Sequence, residues 1–310
     1  MQAVSVISTR GLTMQYGAQM VLDALDLDIP SGVTGLVGAN GAGKTTLMSI
    51  VLGIRQPTRG TVQVLGLDPI HQGSELRAHV GFAPERNLLP EDMRAVDFVR
   101  HLAEVRGLPR REARSRASDV LWLVGLGEER FRPLGTMSSG QRQRVKLAQS
   151  IAADPRLILL DEPTDGLDPV QRDEMLGLIR RVIDEFAIDV VLSSHLLEEV
   201  ERVCDHVVAL DAGRLVADGP LGDLVGHEDG IELELVETTD RPDTIPTVAA
   251  ALAAAGFSVD HDGGTLVIVG PTADIVLDHT RDVVADNGAR IRRLVPRRRT
   301  LEDLFTGSEP

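Results

Sequence analysis

Residues 33–37 read as a short buried strand that runs without interruption into Gly38-Ala39-Asn40-Gly41-Ala42-Gly43-Lys44-Thr45, and residues 44–52 continue as a helix. Strand, glycine-rich loop and helix in that order predict an α/β domain whose loop lies at the carboxyl end of a sheet. The glycines let backbone N–H groups turn inward, the helix presents its positive end, and Lys44 adds a cation, which together suit phosphate. Gly38, Asn40, Gly41, Ala42, Gly43, Lys44, Thr45 and Thr46 are therefore the candidate phosphate contacts, with the Thr45 hydroxyl suited to Mg²⁺. Lys44 and Lys146 are the only lysines in an arginine-rich chain, so a lysine at this position reads as a chemical requirement.

The surrounding pattern supports the α/β reading. Alternating apolar residues at 4–8 and 25–29 predict an opening antiparallel pair, and further strands are expected at 61–65 and Val80–Ala83, the latter stopped by Pro84. From Asn87 to about Gln149 the pattern is helical, with Val96, Val99, Leu102 and Val105 spaced by three or four. Strands at 157–160, 190–193 and 207–210 then alternate with helices near 170–185 and 196–203, which predicts a mostly parallel sheet. Beyond Gly219-Pro220 the order is strand 231–236, helix 244–255, strands 258–261 and 265–269, helix 272–287 and strand 290–295, the ferredoxin-like arrangement. The expected division is 1–220, with a helical subdomain at about 87–149, and an accessory domain at 221–310.

Two more constellations carry chemistry. Leu157-Ile158-Leu159-Leu160 delivers Asp161 and Glu162 to a strand end, the side of an α/β sheet that binds ligands. Asp161 would organise Mg²⁺, and Glu162 would polarise a water attacking a terminal phosphate; positioning and charge matter more than proton removal in such hydrolysis. His195 follows Ser193-Ser194 at the end of the next apolar strand, where it would contact the same phosphate. Met137-Ser138-Ser139-Gly140-Gln141 precedes a helical stretch, so by itself it is an ordinary helix start. Tyr16, the only tyrosine, has two readings: a platform for adenine, or an aromatic packed at a strand end.

Together these motifs resemble, in content and order over residues 3–220, the ABC-type ATPase family, with a P-loop NTPase core. The resemblance implies ATP and Mg²⁺ as ligands and makes Ser138, Ser139, Gly140 and Gln141 the surface that caps ATP held by another subunit. It makes Asp165-Gly166-Leu167-Asp168 the loop lining the dimer seam, with Asp168 a nucleotide-side residue, and His195 the switch histidine. Glu85 stands where the family more often has Gln, and its oxygen would serve Mg²⁺ or water. Ser139 replaces a common glycine. The ending Arg299-Thr300-Leu301-Glu302-Asp303-Leu304-Phe305 is similar to that of the bacterial exporter branch serving drug and antibiotic efflux. The implied partners are an integral membrane permease and a second copy of the chain.

Composition narrows the alternatives. A net charge of -15 and a pI near 5.0 argue against a broad nucleic-acid surface, and residues 221–310 contribute -9 of it (8 Arg, no Lys, 17 Asp plus Glu). Arg297-Arg298-Arg299 stands against that acidity and reads as a solvated edge or a contact with acidic neighbours. A lone Cys204 excludes an internal disulfide and reads as a small buried residue. The start of the chain lacks the pattern of a signal peptide, and no apolar run reaches the ~18–20 residues that span a bilayer. The expectation is a cytoplasmic protein held at the membrane face by its permease. The rivals are a soluble ATPase of the same family acting on DNA or ribosomes, against which the missing coiled coil and second ATPase unit count, and a scaffold regulated by nucleotide.

Overall fold

The computed structural model describes residues 5–86, 89–236, 244–262 and 265–306. The chain divides into two compact units, Met1–Leu221 and Gly222–Pro310, each with its own apolar cluster. The first unit opens with β1 (Ser5–Tyr16) and β2 (Gln19–Pro30), antiparallel and twelve residues each. Both are longer than the expected 4–8 and 25–29, and Val4 lies outside the described residues. Bulges near Gly11 and Ala24, which have φ of 55° and 49°, break the period of two that a sequence reading follows.

β3 (Val33–Val37) is buried throughout and leads into α1 (Lys44–Val51). β4 (Arg59–Val64) returns to pair with β1, so the order of this small sheet is β2-β1-β4. α2 (Gly73–His79), which the sequence pattern did not suggest, precedes β5 (Val80–Ala83).

The helical region is three helices, α3 (Ala95–Val105), α4 (Arg110–Leu123) and α5 (Ser139–Ile151), with two short 3₁₀ turns before α5. Its expected start at Asn87 lies outside the described residues. The stripe on α3 differs from the expected one: Ala95, Val99 and Ala103 are fully buried, whereas Val105 is 69% exposed. α3 packs against α4, on which Ala113 and Ala117, four residues apart, are also fully buried.

β6 (Leu157–Asp161), α6 (Pro169–Phe186), β7 (Asp189–Ser194), α7 (Leu197–Val203) and β8 (His206–Asp211) follow as alternating units. β9 (Arg214–Pro220) then turns back antiparallel on β8, pairing Pro220 with His206, so Gly219-Pro220 ends a strand. The main sheet has the order β5-β6-β7-β3-β8-β9, with its first five strands parallel. Asp161 is opposite Ser193 and Val37 is opposite Ser194, so the residues that follow β3, β6 and β7 emerge side by side.

The second unit contains α8 (Leu221–Leu224) only in part and is built from β10 (Gly226–Leu235), α9 (Thr244–Ala254), β11 (Ser258–Asp262), β12 (Thr265–Val269), α10 (Ala273–Asp286) and β13 (Ile291–Arg299), closing with α11 (Asp303–Thr306). Its antiparallel sheet order, β11-β12-β10-β13, is that of a ferredoxin-like fold. Ile231, Leu233, Leu266 and Ile268 alternate inward against Val248, Leu252 and Val276 of the helices. The side chains of Arg298 and Arg299, in the basic triple, lie outside the described set.

α7 packs on the middle of β3 because Gly35 has no side chain: a Cβ there would lie 2.3 Å from Val200 Cγ1 and 3.1 Å from Cys204 Sγ. Gly35→Ala should therefore lower stability by about 1–3 kcal/mol in urea unfolding. A midpoint equal to that of the wild type would show that α7 can shift without cost.

Candidate functional site

The phosphate loop takes its shape from backbone conformations that require glycine. Gly43 caps α1 at φ 106°, and a Cβ there would lie 2.6 Å from Leu22 Cδ2 and 2.9 Å from the Val21 carbonyl. Gly38 adopts φ 150° with Leu210 O only 2.2 Å from where a Cβ would stand. No side chain caps α1, so the N–H groups of its first turn face the loop and are available to an anion.

A continuous polar chain crosses the three adjacent strand ends. Lys44 Nζ donates to Gly38 O at 2.6 Å and lies 3.4 Å from Glu162 Oε1, with both side chains largely buried. Thr45 Oγ1 donates to Asp161 Oδ2 at 3.2 Å. Ser193 Oγ donates to Asp161 Oδ1 at 2.6 Å and accepts the Glu162 N–H at 3.0 Å. Glu162 is left-handed at φ 47°, a conformation that costs a non-glycine residue of order 1–3 kcal/mol, and it leads the carboxylate to His195, whose Nδ1 is 2.7 Å from Oε2. Sequence reasoning passed over Ser193. The paired serines before His195, read against the Asp161 strand, were the signal that pointed to it.

Lys44, Thr45, Glu162 and His195 line a cavity of about 430 Å³ with Asn40, Gly41, Gly43, Thr46 and Glu85, with Ala39 of the glycine loop and Asp165 of the segment before α6, and with Gln19 and Val21, which the sequence reading did not single out. Asp161 borders it through Thr45, and Gly38 and Ala42 shape the loop without lining it. Tyr16 is not in its wall; the Arg55 guanidinium lies over its ring, 5.3 Å from the centroid. The Thr45 hydroxyl beside the Asp161 carboxylate is a donor set of hard oxygens that fits Mg²⁺, which takes few protein ligands and completes its shell with water and phosphate oxygens.

Ser138, Ser139, Gly140, Gln141 and Asp168 are gathered elsewhere. Ser138 Oγ accepts the Gln141 N–H at 3.2 Å while Gln141 Oε1 accepts the Ser138 N–H at 3.1 Å, a capping box that fixes the start of α5. Asp168 caps α6 by accepting the Gln171 N–H at 2.9 Å, and Gln171 Oε1 would be 3.2 Å from a Cβ at Gly140. The two helix starts are thus neighbours, and none of these five residues lines the phosphate cavity of their own chain.

α5 also reaches back toward the cavity. The Lys146 ammonium donates to Glu85 O at 3.0 Å, and Gln143 Nε2 donates to Asp165 O at 3.2 Å. Burial pushes the Lys146 amine down to about 8, against the opposing pull of Asp161, Asp165 and Glu85. Cys204 is buried, and burial raises its thiol pKa, which leaves it a packing residue.

A phosphate loop on β3, paired carboxylates ending β6 and a histidine ending β7 define an ATPase of the P-loop class. The comparisons specify it further. The ABC transporter family pattern matches residues 22–165. The chain is 31% identical to Nod factor export ATP-binding protein I of Ralstonia nicotianae over 98% of its length and 94% of that protein. It is 33% identical to the daunorubicin/doxorubicin resistance ATP-binding protein DrrA of Streptomyces peucetius, covering 84% of this chain and 79% of that one. Among solved structures, an ATP binding subunit of an ABC transporter matches with a TM-score of 0.63 at 29% identity, over 71% of this chain and 92% of that chain. The chain belongs to the ATP-binding proteins of the ABC transporter family, and its activity is ATP hydrolysis coupled to transport.

The Lys146 site gives a pH test. Below about pH 8 the amine is charged folded or unfolded, and its burial opposes folding. Between about 8 and 10.5 the folded amine is neutral while the unfolded one still holds its proton, so wild-type stability rises with pH. Lys146→Met should be the more stable protein near pH 7, by ~1–3 kcal/mol, with the gap closing toward pH 10 in urea titrations. A gap that widens with pH would contradict this.

Proposed function

We propose that two copies of this chain close head to tail, each holding ATP on its own residues 38–46 while Ser138, Ser139, Gly140 and Gln141 of the other copy cover the terminal phosphate. The observation carrying this reading is that these residues and Asp168 form a separate surface, away from the cavity of their own chain. A surface of helix N-termini suits an anion, and an anion presented by a second copy gives it one.

Within the site, Lys44 contacts the terminal phosphates, and Thr45 and Asp161 hold Mg²⁺, with Glu85 at the same cavity wall. Bound Mg²⁺ supplies charge stabilisation of the phosphoryl oxygens. Glu162 orients the attacking water, His195 steadies that carboxylate through Nδ1, and Lys44 releases it as its ammonium turns to phosphate. Tyr16 supports adenine on the ring face away from Arg55. Ligand held only by the closed pair shifts the population toward closure, and hydrolysis reverses it.

The transport role is export of drug-like or antibiotic molecules, supported by relatives named for daunorubicin resistance and, at 34% identity over 71% of both chains, for bacitracin transport in Bacillus licheniformis. No helix among the described residues is long and apolar enough to cross a membrane. In this reading the path belongs to a permease, and this chain works at its cytoplasmic face. The helical segment between Glu85 and Met137 carries the motion to it. The acidic unit after Leu221 is an interaction module.

Glu162→Gln tests the cycle: it should bind ATP with wild-type affinity, hydrolyse it ~10²–10³-fold more slowly and elute as a dimer in Mg-ATP. Normal turnover, or a monomer at saturating Mg-ATP, would overturn the assigned role. Purification from membranes as a complex with an integral membrane protein supports transport; recovery with ribosomes or DNA would overturn it.

A further inference from the structure

Glu199, four residues beyond His195, is a carboxylate only 2% exposed, and it lies outside the wall of the phosphate cavity. Its Oε2 accepts from Thr164 Oγ1 at 2.7 Å and from Ser194 Oγ at 2.8 Å, while its Oε1 faces Arg172 Nε at 3.2 Å. The three partners belong to three different pieces of the site. Thr164 is in the loop that follows Glu162, Ser194 is the residue before His195, and Arg172 is in the first turn of α6, which Asp168 caps. Ser194 Oγ also accepts the Leu196 N–H at 3.0 Å, so one hydroxyl ties both flanks of His195 to the Glu199 carboxylate.

Removing a carboxylate from water is costly, and an apolar side chain of similar volume would commonly serve stability as well or better. A buried carboxylate does what an apolar group cannot: it fixes hydroxyls from separate elements through short, directional bonds and holds a guanidinium by charge. Here those elements carry Glu162, His195 and Asp168.

We infer that Glu199 is a positioning residue for hydrolysis, setting His195 against Glu162 and making both follow the start of α6. The inference rests on the reading of Glu162 and His195 as the hydrolytic pair. When the loop before α6 moves on closure, the Arg172 and Thr164 contacts pull Glu199, and Ser194 carries that displacement to the histidine.

The test is a double-mutant cycle on the full chain, with single-turnover hydrolysis of Mg-ATP and equilibrium ATP binding. Glu199→Gln keeps the shape of the side chain and removes its charge, so kcat should fall roughly tenfold with ATP affinity within about twofold. In a His195→Ala background the same change should cost less than about twofold, because its route to the chemistry is gone. Equal losses in both backgrounds, an unchanged kcat, or a loss explained by weaker ATP binding would overturn the inference. Full activity of His195→Ala alone would instead overturn the hydrolytic pair. Ser194→Ala and Thr164→Val provide the same cycle through single hydroxyls if Glu199→Gln folds poorly. The imidazole ¹⁵N resonance that vanishes in His195→Ala supplies a readout independent of rate: it should shift in Glu199→Gln, and a resonance at the wild-type position would count against positioning.

Discussion

The parallel pairing of β7 between β6 and β3 is the constraint on which the rest of this molecule depends. With Asp161 opposite Ser193 and Val37 opposite Ser194, three chain segments far apart in sequence end at the same height. Hydrogen bonding between neighbouring strands holds them a fixed distance apart, close enough for side chains at adjacent ends to touch. The loop from β3, the carboxylates from β6 and the histidine from β7 therefore converge without any local element built to bring them together. A slip of one residue in either pairing would turn Asp161 away from Thr45 and leave Ser193 without its partner.

Polar burial in this region follows from that convergence. Lys44, Asp161, Glu162, Ser193, Ser194 and Glu199 are all nearly inaccessible, an arrangement that survives only because each is bonded or ion-paired to another. The left-handed backbone of Glu162 stores strain at the same point, held by the Ser193 hydroxyl on its N–H. Rigidity is thus concentrated around the carboxylate, whereas the phosphate loop owes its form to glycines that no side chain could replace.

The helix starts at Ser138 and Asp168 show a different economy. Each is satisfied by its own side chain, one through a capping box and the other through an Asp with proline behind it, so both are ordered within a single chain. Both residues are exposed, which gives the two-chain proposal its physical basis: an ordered surface of helix starts that the cavity of its own chain does not use.

Much of this was legible in the sequence because it depends on local pattern. The strand, glycine loop and helix at 33–51, the apolar run into Asp161-Glu162, and the alternation of the second unit each follow from period and residue type, and the ferredoxin-like order followed with them. The bulged lengths of β1 and β2, the antiparallel turn of β9 and the narrow alanine stripe of α3 were not, since bulges and helix packing are set by neighbours rather than by the segment itself. The sequence by itself determined that this chain binds phosphate at the end of an α/β sheet, because phosphate binding demands a particular string of residues, and its resemblance to a family implied that the ligand is ATP. Only the tertiary structure decided that Ser193 joins Asp161 to Glu162, that Glu199 joins the loops around Thr164 and His195, and that Ser138 lies away from Lys44. Those facts are properties of strand order and register, which bring together residues that no spacing along the chain relates.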